Sequence, residues 1–167
     1  MKKTILLSTL IAFLTSHIYA QFEWQITGAD TIRPNEKCYL LNTKVHKKVA
    51  YKSQKRGINL SWSSPQKGGS NILFQDENND GILATNEAVA IYVEGGSYLK
   101  YGEREYGITL VWSQTPVYEW IIHEADTATG RIQSSKKYGI FNQVKRTFWV
   151  HGERVDNIGS SKWLDDW

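Results

Sequence analysis

The chain has 167 residues, with 20 basic and 17 acidic side chains, seven tryptophans and one cysteine. Its net charge of +3, two units of which come from Lys2 and Lys3, excludes the basic footprint of a nucleic-acid binder. The lone Cys38 excludes an intrachain disulfide and a cysteine zinc cluster, so packing must hold the fold together.

Residues 1–20 read as a secretory signal. Lys2 and Lys3 precede an apolar run from Ile5 to Leu14, and Ala20 closes the segment before Gln21. The run is too short to cross a bilayer. The mature chain is therefore expected to be secreted or periplasmic, with no membrane span and 147 residues for one domain, 21–167.

From Gln21 onward a pattern recurs about every 50 residues. Leu40-Leu41-Asn42, Ala90-Ile91-Tyr92 and Ile140-Phe141-Asn142 share one register, as do Val49-x-Tyr51, Leu99-x-Tyr101 and Trp149-x-His151. Gly57-Ile58, Gly107-Ile108 and Asn157-Ile158 continue it, and Trp62 and Trp112, with Trp163 one residue late, close the copies. Three copies in register indicate an internally triplicated unit.

Each copy reads as four short strands. The first strands are Phe22-x-Trp24-x-Ile26, Ile72-x-Phe74 and Tyr118-x-Trp120-x-Ile122, whose alternation gives one buried face. Second strands follow at 38–42, 89–93 and 138–142, and third strands at 49–51, 98–101 and 148–151. In the fourth strands, Ile58-x-Leu60-x-Trp62 and Ile108-x-Leu110-x-Trp112 place three large apolar side chains on one face, predicting that Trp62 and Trp112 are core. In this register Trp24, Phe74 and Trp120 are equivalent, and only the third copy has a longer first loop: 20 positions from Trp120 to Ile140, against 16 elsewhere.

Twelve strands in three groups of four resemble the β-trefoil superfamily over residues 21–167. That resemblance implies an all-β fold, a closed six-stranded barrel capped by three hairpins, which leaves no exposed sheet edge. Gly96-Ser97-Tyr98-Leu99 is similar to the Gly-x-Tyr-Leu start of fascin-like trefoil repeats, whereas the three Gln-x-Trp signatures of ricin-type lectins are absent.

Two ligand sites follow from the loops. Residues 76–87 have the spacing of an EF-hand calcium loop: Asp76, Asn78, Asp80 and Glu87 offer side-chain oxygens, Ile82 a carbonyl, and Gly81 the sharp turn. The flanking segments read as strands rather than helices, and a polar turn is the alternative. Separately, Asp30, Asp80 and Asp126 lie six residues after Trp24, Phe74 and Trp120, and Tyr39, Tyr92 and Tyr138 follow on the second strands. A carboxylate beside an aromatic platform suits a sugar, whose hydroxyls need acceptors and whose C–H face needs an apolar surface.

His46, His123 and His151 fall in different strands or turns, so no enzyme activity is expected. The sequence points by fold-level analogy to a lectin-like, carbohydrate-binding module whose partner is a glycan or cell-surface glycoconjugate. The alternative is a protein-binding trefoil, such as a protease inhibitor or toxin-like receptor binder. For that class the insert Thr127-Ala128-Thr129-Gly130-Arg131 is the candidate loop.

Overall fold

The computed structural model describes residues 21–54, 58–103, 109–125, 130–134 and 136–151. The signal at 1–20, Asp126, Thr127 to Thr129 and the last strand expected near Trp163 lie outside the described residues. Within them the chain is all-β, with 11 strands and one 3₁₀ turn at Pro65–Lys67. The strands are β1 Trp24–Thr27, β2 Tyr39–Asn42, β3 Lys47–Tyr51, β4 Leu60–Ser63, β5 Ile72–Asp76, β6 Ala88–Val93, β7 Tyr98–Tyr101, β8 Leu110–Ser113, β9 Trp120–Glu124, β10 Tyr138–Asn142 and β11 Thr147–Trp149. They form one antiparallel sheet with the path β4-β3-β2-β1-β10-β9-β6-β7-β8; β11 pairs with β10 and β5 with β6.

The period-2 pattern decides which side chains face inward. Trp24 and Ile26 of β1, Ile72 and Phe74 of β5, and Trp120 and Ile122 of β9 are all fully buried, and the residues between them are half-buried. The indole N–H of Trp24 donates to the Trp149 carbonyl, and that of Trp120 to the Leu99 carbonyl at 2.8 Å. Trp149 is 2% exposed and its ring lies 4.7 Å from Trp24 and 5.9 Å from Trp120.

Trp62 and Trp112 depart from expectation: both are only partly buried and pack against the core from its margin. Leu60 and Leu110 take the interior positions of β4 and β8 instead. Trp112 is held by an N–H bond to the Ile58 carbonyl at 2.7 Å and by Gly96, where a Cβ would come within 2.6 Å of the indole ring.

The strand register also corrects the alignment of the copies. Trp24 pairs with Asn42 and Trp120 with Asn142, but Phe74 pairs with Ile91, as Ile26 does with Leu40 and Ile122 with Ile140. Ile72 therefore holds the ladder position of Trp24 and Trp120. In this register the span is 16 positions from Trp24 to Leu40, 19 from Ile72 to Ile91 and 20 from Trp120 to Ile140. The second copy thus has a lengthened first loop as well, and the extra residues fall in the stretch around Asp80.

Two buried carboxylates tie strands to turns. The Asn42 amide donates to Glu23 at 3.1 Å and the Asn142 amide to Glu119 at 2.9 Å. Each asparagine also accepts two backbone N–H groups of the turn that follows, from Lys44 and Val45 or from Val144 and Lys145. All four side chains are buried, so their polar atoms need these partners.

Cys38 is fully buried with its Sγ 3.2 Å from the Ile72 carbonyl. Burial, with the negative charge of Glu36 adding to it, pushes the thiol pKa up to about 12. Its stabilising effect is complete below the unfolded thiol's pKa of about 8.5 and is lost as pH rises through the raised folded value. The folded protein is expected to resist DTNB at mildly alkaline pH and to react with one equivalent on unfolding. Rapid reaction in the native state would place Cys38 at the surface.

Candidate functional site

Three loops meet at one end of the sheet. The Ile32 N–H donates to the Ile132 carbonyl and the Ile132 N–H to the Leu83 carbonyl, both at 3.0 Å. Thr31–Gln133 and Ala84–Arg131 bridges flank these bonds. Ile32, Leu83 and Ile132 each precede a buried residue of a second strand, Leu40, Ile91 or Ile140, by eight positions, and all three are at most 1% exposed. Three apolar side chains from three loops thus join the hydrophobic core at this end of the sheet.

Over this core lies a cavity of about 290 Å³ lined by Thr31, Ile32, Arg33, Gly81, Ile82, Leu83 and Arg131. Its apolar part comes from Ile32, Leu83 and Ile82, and Ile82 is 37% exposed. Arg33 and Arg131 are exposed, and neither forms an ion pair with a described residue. Two guanidinium groups beside an apolar surface suit an anion attached to a partly apolar ring, because the planar fork matches a carboxylate or sulfate.

The described residues expected to bind sugar occupy unlike places in the three copies. Asp30 and Asp80 are exposed and neither lines the cavity. Tyr39, Tyr92 and Tyr138 pair with Thr27, Leu73 and Glu124, which are three different ladder positions. The Lys48 ammonium sits 4.3 Å over the Tyr39 ring, and Tyr92 meets Tyr98 edge-on at 5.2 Å. Tyr138 is fully buried: its hydroxyl lies 3.1 Å from the Gln133 carbonyl, and burial raises the pKa of the phenol. It shares the inward face with Ile140 and offers no platform to a ligand.

The expected calcium loop has an uneven geometry. Asp76 ends β5 at 5% exposure, and its Oδ2 meets no hydrogen-bond donor; the buried Oε2 of Glu87 is in the same position. Asn78 and Asp80 are exposed, and Asp80 accepts the Ile82 N–H at 2.8 Å and the Asn78 amide at 3.3 Å. Asn79 and Gly81 take positive φ of 53° and 79°, so the chain reverses sharply here. Among the described residues no three His, Cys, Asp or Glu side chains stand close enough to hold a metal ion.

Compared with protein families, characterised proteins and solved structures, the chain shows no match. The site must be judged on its own chemistry.

The histidines are dispersed. His46 occupies an exposed turn, His151 lies against Trp62 at 5.9 Å, and His123 packs against both Phe141 and Phe148 with its Nδ1 2.7 Å from the Asn86 amide oxygen. Burial lowers the pKa of His123 below that of an ordinary histidine. Sequence reasoning passed over Arg33, which stands alone in the chain, and named Arg131 only as part of a longer insert. The signal that marks both is a basic residue beside the isoleucine eight positions before a second-strand core residue: Arg33 after Ile32 and Arg131 before Ile132.

Proposed function

We propose that this chain is an exported, non-catalytic β-trefoil whose ligand is a carbohydrate bearing an acidic group. The trefoil reading is supported by the Cys38–Ile72 bridge, which links β2 to β5 and so completes a circuit β1-β2-β5-β6-β9-β10 back to β1. It is also supported by a bond that recurs in each copy: Thr43 N–H to Glu23, Glu94 N–H to Asn71 and Gln143 N–H to Glu119 carbonyl. A closed barrel with three meeting loops is the arrangement those contacts favour.

The single observation that carries the ligand assignment is the cavity over Ile32 and Leu83, with Arg33 and Arg131 on its lining. At about 290 Å³ it lies near the lower limit of small-molecule sites, about 300 Å³, which suits one terminal sugar unit. The apolar side chains face the C–H surface of a ring while the guanidinium groups take its carboxylate or sulfate.

A glycan array that includes uronate, sialylated, sulfated and neutral members is expected to show binding confined to the acidic ones. A charge-assisted hydrogen bond is worth about 1.5–3 kcal/mol, so Arg33→Ala with Arg131→Ala should weaken binding at least tenfold at unchanged melting temperature. A folded double variant that binds as well as the parent overturns the assignment. Silence across the array overturns the sugar and shifts the site to a protein partner.

A further inference from the structure

We infer that residues 76–87 bind one calcium ion, through the side chains of Asp76, Asn78, Asp80 and Glu87 and the carbonyl of Ile82. The inference does not rest on the glycan reading. Its first support is spacing: oxygen donors at positions 1, 3, 5, 7 and 12 of a loop that turns at glycine supply, with Glu87 bidentate, six of the six to eight hard ligands calcium takes.

The second support is independent of the motif. Asp76 is 95% buried, and its Oδ2 and the Glu87 Oε2 are both shielded from water with no hydrogen-bond donor. Neither carboxylate forms an ion pair with a described residue. Asp76 pairs with Val89 at the end of the β5–β6 ladder, and Glu87 stands two residues before Val89, just ahead of β6, at the spacing of a diagonal neighbour. Carboxylate oxygens that lose water without gaining a donor are costly. A divalent cation bound by both removes that cost, and the β5–β6 ladder holds Asp76 in place.

The third support is the length of the loop. From Ile72 to Ile91 the chain spends 19 positions where the equivalent Trp24 to Leu40 uses 16, so the fold closes without the added residues. The third carboxylate, Asp80, is exposed and bonded to its own turn, so it joins the ion by rotation of a surface side chain rather than by movement of the sheet. Gly81 and Ile82 line the neighbouring cavity, and a bound ion would fix that wall.

Calcium alone, titrated into the chelator-treated full-length mature chain by calorimetry, is expected to bind with a stoichiometry of one. Affinity on the order of 10⁻⁴–10⁻³ M is typical of extracellular modules. The melting temperature should climb with calcium once its concentration passes the dissociation constant. Glu87→Gln should abolish both signals and, without calcium, melt no lower than the parent, because it removes an unpaired charge. Asp80→Asn, at an exposed position, should weaken binding with the fold untouched. Absence of calcium uptake at millimolar concentration, or full uptake by both Glu87→Gln and Asp80→Asn, overturns the site.

Discussion

Trp120→Ala is expected to cost about 3–5 kcal/mol, a large share of the stability of a domain of this size. The side chain is fully buried, its ring lies 5.9 Å from Trp149, and its N–H satisfies the Leu99 carbonyl. Truncation opens a cavity among rigid strands and strands a buried acceptor as well. Urea unfolding followed by the remaining tryptophan fluorescence should show the midpoint fall sharply, and Trp112→Ala, at the margin of the core, should fall less. Equal losses at the two positions would mean that the core is centred elsewhere.

Asn142→Ala should have the next largest effect, about 2–4 kcal/mol, because the change leaves a buried carboxylate short of a donor. Asn142 donates to Glu119 and accepts the Val144 and Lys145 N–H groups, so one side chain links a strand, a turn and a buried charge. Glu119 then keeps the Tyr101 N–H on the same oxygen. Adding Glu119→Gln to Asn142→Ala should recover part of the loss, since a neutral amide tolerates the missing partner better than a carboxylate. The double-mutant cycle by urea unfolding measures this, and additive losses would show the two side chains uncoupled.

Alternation and turn residues made the strands readable. Ile26, Leu40, Ile72, Ile122 and Ile140 face inward as their period predicts, because only the inner face of each strand escapes water. The same rule already contained the fate of Tyr138, which stands two residues before Ile140 and must share its face. Side-chain type was a poor guide to register: Phe74 looks like Trp24 and Trp120, but backbone pairing assigns their ladder position to Ile72. A slip between resemblance and register is invisible until the partner strand is known, because partners lie tens of residues away.

The candidate site was legible only where its chemistry was local. The spacing from Asp76 to Glu87 sits in one loop and could be read directly, whereas burial of the two end carboxylates depends on how β5 pairs with β6. The cavity takes its lining from three loops, and Arg33 and Arg131 are 98 residues apart in the chain. Each sits beside an isoleucine at an equivalent position, but only the pairing of the loops makes the two neighbours. Their proximity is a product of the bonds among Ile32, Leu83 and Ile132.

The pairing of β1 with β10 has a consequence for how this chain reaches its native state. Trp24 finds its partners at Tyr138 and Trp149, and the Glu23 carboxylate accepts the N–H of His151, 128 residues away. During synthesis β1 can form a hairpin with β2 early, but its other edge stays unpaired until nearly the whole described chain has emerged. Such distant closures make folding slow, because loop entropy must be lost before the contacts repay it. A waiting strand edge is also open to wrong neighbours. The step that seals Trp24 against Trp149 therefore comes late, and it ends the period in which a newly made molecule is most exposed to aggregation.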